Sequence, residues 1–315
     1  MKEKWVFLLH CAHLIVSLPK LKKTVMITFP CCKINLGLNI VSKRKDGYHD
    51  LETVFYPVAL TDALSIKRMD EGFPSISDCD LKMTYSIDNI ESHNDSQLSK
   101  LNNDDNLVVR AYKLLARDYK LPRLHIHLCK RIPSQAGLGG GSSDAAFMIR
   151  MLDEYCQLNM GNAEMERYAA MLGADCAFFI TAEPSFATGK GEILQPADNE
   201  TGNLIGYYIA IVKPDIAVST AEAFSRLTPK KPAKCCRDIV RQPIDTWKDQ
   251  LVNDFEEPIF AIHPELKAIK EALYKKGAAY AQMSGSGSAI FGIFRERPEG
   301  VDKMFPNSFT SVLPL

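Results

Sequence analysis

Two charged residues of this chain stand among apolar neighbours. Lys33 sits in a segment whose other members include Ile34, Leu36, Leu38 and Ile40, and Asp175 lies between a helix ending at Gly173 and the apolar run Cys176-Ala-Phe-Phe-Ile180. An ammonium or a carboxylate in such a place costs solvation free energy unless it has a partner. Lys33 could instead lie at a strand edge, its stem on apolar surface and its head in water; both readings stay open. A third group offers backbone rather than side chains: Pro133-Ser-Gln-Ala-Gly-Leu-Gly-Gly-Gly-Ser-Ser-Asp-Ala145. Glycines let the chain turn tightly and approach an anion closely, and the unpaired N–H groups of a following helix's first turn can bind it. Ser142 and Ser143 add hydroxyl donors and candidate N-caps, while Asp144 suits a first helical turn. A phosphate fits there, although a plain turn would use the same residues.

The elements that must position these groups follow from hydrophobic periodicity. Leu124–Cys129 alternates as a half-buried strand, and 144–157 carries Ala146, Ile149, Leu152 and Cys156 at helical spacing, so the glycines join a strand to a helix. The loop is not a Walker A motif, because no Gly-Lys-Ser/Thr follows the spacer. It also lacks the third glycine of a dinucleotide fingerprint, and the His-Arg-Asp and Asp-Phe-Gly signatures of protein kinases are absent. Upstream, strands are expected at 26–29, 34–41, 51–56, 64–66 and near 81–87, with Pro30–Lys33 separating the first two. Asp46-Gly47 makes a turn beside Tyr48 and His49, which are either surface residues or a platform for a flat ring. Residues 89–106 form a solvated loop, and Asp105-Asn106 caps a helix over 107–115.

Further on, 164–172 is a helix and 186–194 a hairpin or turn between strands. A linker at 196–203 places a domain boundary near residue 200. Beyond it come a strand at 207–212, helices at 220–226, 247–260 and 264–275, and two strand-like runs around Ser284-Gly-Ser-Gly-Ser288. That second glycine-rich turn is either a hairpin or a cover for a phosphate.

With 315 residues the chain has room for two cores, and 38 basic residues balance 38 acidic ones, which argues against a general nucleic-acid binder. Nine cysteines, without a C-x-x-C pair, read as reduced buried thiols of a cytoplasmic protein; Cys31-Cys32 and Cys235-Cys236 are adjacent, but no zinc-ligand spacing accompanies them. Residues 1–25 have a basic start and an apolar stretch like a signal peptide, yet no small-residue cleavage site follows. They are expected to be a non-native or misassigned extension, with Met26 as the functional start and no membrane partner.

Three motifs in order, Pro30-Cys-Cys-Lys-Ile-Asn35, the 133–143 loop and Met283-Ser-Gly-Ser-Gly287, resemble the GHMP kinases. Lys33-Ile-Asn-Leu36, Asp46-Gly-Tyr-His49, Leu51-x-Thr-Val-Phe55, Asp105-Asn-Leu107, Lys130-x-Ile-Pro133 and Gly173-Ala-Asp-x-x-Phe-Phe179 are similar to the branch that phosphorylates 4-diphosphocytidyl-2-C-methyl-D-erythritol. The resemblance implies an α+β, two-domain fold: residues 26–200 as an ATP-binding domain like ribosomal protein S5 domain 2, and 201–315 as a ferredoxin-like domain, with the site between them. It implies transfer of the ATP γ-phosphoryl group to the 2-hydroxyl of that cytidine diphosphate compound, in the non-mevalonate route to isoprenoids. Asp175 would be the base and Lys33 its partner, so that two awkward polar residues explain each other. Pro133, Ser134, Gln135, Ala136, Gly137, Leu138, Gly139, Gly140, Gly141, Ser142 and Ser143 would hold ATP, with Asn106 and Lys130 near the phosphates. Asn35, Tyr48, His49, Thr220 and Phe224 would hold the substrate. ATP and Mg²⁺ are the implied cofactors, with no metal ligand assigned. No stretch marks a subunit interface, so a monomer or weak homodimer is expected.

Two features depart from the family pattern. Cys31 and Cys32 replace smaller residues, and Ala177 stands where proline often follows the aspartate; neither removes a chemical group. Two other functions share most of the motifs: a GHMP kinase for another acceptor, which would not need Asp46-Gly-Tyr-His49, and a non-catalytic nucleotide sensor.

Overall fold

The computed structural model describes residues 25–73, 77–85, 103–197, 201 and 204–315. The expected extension, apart from Val25, and the expected 89–106 loop, apart from its last four residues, lie outside them. The described strands form three four-stranded sheets. In the first, β1 (Val25–Thr28), β4 (Ala63–Arg68), β6 (Leu124–Lys130) and β5 (Cys79–Tyr85) are neighbours in that order, and only β5 and β6 are parallel. The second runs β2 (Cys31–Lys43), β3 (His49–Thr61), β7 (Ser185–Thr188), β8 (Ile193–Pro196), all antiparallel. The third runs β10 (Tyr280–Met283), β11 (Ile290–Phe294), β9 (Tyr208–Pro214), β12 (Ser308–Pro314).

Strand β2 shows how the sequence places the chemistry. Its side chains alternate: Cys32, Ile34 and Leu36 enter a core shared with Ile209, Ile211, Trp247 and Phe291, while Lys33 and Asn35 line a cleft. At Gly37 the register with β3 shifts, with φ +70° and no room for a side chain, since a Cβ would lie 2.6 Å from Leu251. Past the shift, Leu38 and Ile40 join a further core with Leu266 and Leu273.

Helices α1 (Leu107–Leu115), α2 (Gly140–Cys156) and α3 (Asn162–Leu172) share a core with the first sheet through Val108, Phe147, Met165, Leu64 and Ile126. A short α4 (Phe178–Thr181) follows, then α5 (Thr220–Ser225), α6 (Cys236–Val240), α7 (Glu256–Ile262), α8 (Pro264–Lys275) and α9 (Val301–Met304). No helix among the described residues is long and apolar enough to cross a membrane.

Several expectations need correction. Pro30–Lys33 does not separate two strands, because β2 already begins at Cys31 and pairs with Thr61. The helix expected over 144–157 begins at Gly140, within the glycine run, and neither serine caps it; its N-cap is Gly139 at φ +71°, so Ser142 and Ser143 fall inside the first turn. The helix expected over 247–260 forms only as α7. Residues 251–254 instead strap β2: Val252 accepts the Leu38 N–H, Asp254 donates its N–H to Leu38, and the Asp254 carboxylate accepts from Ile40. Backbone committed to a neighbouring strand cannot close helical hydrogen bonds. Finally, beyond the last strand read from the sequence, α9 leads into β12, which completes the third sheet.

Candidate active site

Lys33 is buried on β2 and its ammonium has three neighbours. It donates to Asn35 Oδ1 at 2.7 Å, lies 3.5 Å from the Asp175 carboxylate, and sits 5.1 Å from the Phe55 ring centre. Asn35 is fixed in turn by donating to Thr53 Oγ1 at 3.0 Å. Asp175, on the turn between α3 and α4, keeps a third of its side chain exposed to the cleft (34 %). A buried ammonium held by an amide oxygen and a ring face, next to a carboxylate that solvent or substrate can reach, is an arrangement suited to moving a proton.

The glycine loop is clamped from two sides. Leu138 O accepts the Lys33 N–H at 2.9 Å, and Gly137 O accepts from Ser284 Oγ at 2.9 Å. Ala136 O accepts the Ala289 N–H at 3.1 Å. The two glycine-rich segments therefore meet: a Cβ on Gly137, which has φ +74°, would come within 1.9 Å of Ser284 O. Asn253 holds the far side by donating to both Met283 O and Gly285 O at 2.8 Å. The first N–H groups of the 17-residue α2 thus emerge from a loop whose path is fixed.

Behind the loop lies a buried ion cluster. Lys130 Nζ reaches Asp144 Oδ2 at 2.6 Å and also contacts Asp62. Asp62 accepts from the backbone N–H groups of Arg131 and Ile132, at 2.5 and 2.8 Å. Burial opposes the Lys130 charge, but the two aspartates outweigh it and hold the ammonium's pKa above its usual value. Burial pushes the Asp144 carboxyl up to about 7, with Lys130 opposing and Asp62 adding to the rise. Ser143 Oγ and Asp144 Oδ1 are buried without a hydrogen-bond partner.

At the other end of the cleft, His49 and Phe224 stack with ring centres 4.9 Å apart and planes 17° from parallel, and Phe255 meets Phe224 edge-on. Thr220 Oγ1 lies 3.2 Å from Ser286 Oγ, linking α5 to the second glycine turn. Burial, aided by the Lys43 charge, lowers the His49 pKa and favours the neutral ring. Tyr48 stays exposed, with the Lys190 ammonium 4.7 Å from its ring centre.

The comparisons with known proteins fit this geometry. Residues 106–183 match the GHMP kinases N terminal domain and 237–306 the GHMP kinases C terminal domain. A protein of Bacteroides thetaiotaomicron named 4-diphosphocytidyl-2-C-methyl-D-erythritol kinase is 50% identical over 87% of this chain and 93% of its own length. This chain belongs to that kinase family. A crystal structure of a 4-(cytidine 5'-diphospho)-2C-methyl-D-erythritol kinase superposes with a TM-score of 0.72 at 27% identity, covering 91% of this chain and 98% of the other. The Methanococcus jannaschii mevalonate kinase, at 13% identity and TM-score 0.60 over 91% of this chain and 96% of its own, shares the fold.

Within this family member the residues expected from sequence fall around two adjoining cavities. Lys33, Asn35, Tyr48, His49, Asp175, Thr220 and Phe224 line a cleft of about 1550 Å³, together with Gly137 and Gly139. Asn106, Lys130 and 133–142 line a smaller one of about 400 Å³. Ser143 lines neither, being fully buried under the loop. Asn106 also caps α1, accepting the Val108 N–H at 2.9 Å. Sequence reading missed Thr53, Asp62 and Asn253. Asp62 looked like an ordinary residue between two strands and gave no signal. Asn253-Asp254 did give one, as poor helix formers in the middle of an expected helix.

Proposed function

We propose that this kinase transfers the γ-phosphoryl group of ATP to the 2-hydroxyl of 4-diphosphocytidyl-2-C-methyl-D-erythritol. The observation that carries the reading is the Lys33–Asp175 pair, 3.5 Å apart, on a cleft that has the glycine loop at one end and the His49–Phe224 stack at the other. The name of its relatives supplies the acceptor. Phosphoryl transfer asks a protein chiefly for positioning and charge neutralisation. The α2 N-terminus and the 133–142 backbone bind the ATP phosphates. Asp175 takes the proton of the attacking hydroxyl as its oxygen forms a bond to the γ-phosphorus and the bond to ADP breaks. Lys33 holds the carboxylate in place and stabilises the negative charge that develops on the attacking oxygen. Neutral His49 offers a donor and an acceptor to the edge of the cytosine ring, and the aromatic faces of Tyr48 and Phe224 cover its plane.

Asp144 lines the smaller cavity and its Oδ1 is a hard oxygen donor without a hydrogen-bond partner, so the residues present fit Mg²⁺. When bound, that ion neutralises phosphate charge. Lys130, already shared by Asp62 and Asp144, positions the loop more than it contacts phosphate. A boundary near residue 200 gives the loop, Lys33 and Asp175 to one domain, and Thr220, Phe224 and the Ser284–Ser288 turn to the other. The enzyme acts on small molecules in the cytoplasm as a monomer or weak homodimer.

The test combines product analysis with one substitution. Phosphorus NMR of a reaction with ATP and the cytidine substrate should show a new phosphomonoester, and Asp175→Asn should abolish it while a fluorescent ATP analogue still binds. Substantial turnover by Asp175→Asn would remove the base assignment.

A further inference from the structure

Away from the cleft, Glu52, Cys235 and Cys236 bring a carboxylate oxygen and two sulfurs within 4.8 Å of one another. The residue that joins the adjacent cysteines is Glu52 on β3, 184 positions before Cys236. The geometry is held by backbone. Glu52 Oε1 accepts the Cys236 N–H at 3.4 Å, α6 packs against β2 and β3, and the Cys236 Cβ lies 2.9 Å from where a side chain on Gly37 would be. Cys236 is buried, whereas Glu52 and Cys235 are partly exposed, which leaves an approach from solvent.

The surroundings favour a cation. Burial raises the Glu52 pKa, and the charges of Asp238 and Asp254 add to the rise, while backbone and thiol hydrogen bonds oppose it. A hydrogen bond from Cys236 lowers the Cys235 pKa, and the same bond with burial raises that of Cys236 well above the usual thiol value, so metal binding has to displace that proton. A cation would relieve the crowding of acidic groups and take up both thiolates. The S₂O set selects its kind: Mg²⁺ and Ca²⁺ take oxygen ligands, while Zn²⁺ takes sulfur and carboxylate together.

We propose that Glu52, Cys235 and Cys236 form a binding site for a thiophilic divalent cation of the zinc type, separate from the phosphate loop. Two S–H bonds release their protons to solvent as two sulfur–metal bonds form, the Glu52 carboxylate is the third ligand, and water takes the fourth position. The ion ties the start of α6 to β3 one residue before Thr53, whose hydroxyl holds Asn35 beneath the Lys33 ammonium. The site therefore firms the strand under the catalytic pair without touching substrate.

Titration of the full chain with Co²⁺ tests this directly. One equivalent should produce a thiolate-to-cobalt charge-transfer band that Zn²⁺ abolishes. The band should vanish in Cys235→Ser and Cys236→Ser, survive in Cys156→Ser, and need about tenfold more metal in Glu52→Gln. In the unmodified chain, Zn²⁺ should also protect Cys235, and not Cys156, from alkylation read by mass spectrometry; this arm does not depend on any variant folding. Absence of the band at one equivalent, its survival in Cys236→Ser, or equal alkylation of Cys235 with and without zinc would overturn the proposal.

Discussion

At the scale of single residues, the site is made of polar groups placed against apolar walls and held by what each one touches. Lys33 and Asp175 stood out in the sequence because their neighbours were apolar, and the fold brings them to 3.5 Å. The partners that hold them did not stand out. Thr53 is a β-branched residue on a strand and Asp62 an ordinary turn residue, so neither breaks a pattern. Asp144 gives a prediction with a definite sign. Burial disfavours its charge and pushes its carboxyl up to about 7. Below that pH the Lys130–Asp62–Asp144 cluster is neutral; above it the cluster carries one extra negative charge beside the phosphate loop. Affinity for ATP measured without Mg²⁺ should therefore fall as pH rises through about 7, and Asp144→Asn should flatten the fall; parallel profiles for the two proteins would show that the cluster is not felt by the nucleotide. Tyr48 gives another. It is exposed at the mouth of the larger cavity, so Tyr48→Ala should raise KM for the cytidine substrate several-fold and leave KM for ATP nearly unchanged. A defect confined to ATP in steady-state assays would mean the base binds elsewhere.

At the scale of elements, the most demanding contact is the meeting of the two glycine turns. Gly137 has φ +74° and no space for a Cβ, whereas Gly141, the second residue of α2, would place its Cβ 3.7 Å from Leu107. Gly137→Ala should cost several kcal/mol, from backbone strain and a backbone clash together. Gly141→Ala should be neutral or stabilise by up to about 1 kcal/mol, as alanine does inside a helix. Thermal melts of the two variants separate the outcomes, and equal melting temperatures would contradict the packing described. The strand-loop-helix order around these glycines was legible from periodicity, since β6 alternates and α2 repeats at helical spacing. The start of α2 was not, because the serines that resemble caps lie inside a turn opened by Gly139. The 251–254 strap was hidden for a related reason: its hydrogen bonds go to β2, a partner more than 200 residues away that no local pattern reveals.

At the scale of the whole molecule, the cleft exists because the second and third sheets share a core. Ile34 and Leu36 of β2 pack with Ile209, Ile211 and Phe291, and the turn after β10 then reaches the glycine loop. One sheet's alternation thus serves two purposes, since the same strand that seals the core presents Lys33 and Asn35 to the cleft. The central claim is the identity of the acceptor, and the measurement that tests it most directly is ADP release by the purified chain with Mg²⁺, ATP and one acceptor at a time. With 4-diphosphocytidyl-2-C-methyl-D-erythritol, homoserine, mevalonate and galactose offered separately, the account predicts turnover with the cytidine compound alone. Turnover with one of the other three instead, or none with any while ATP still binds, would contradict it.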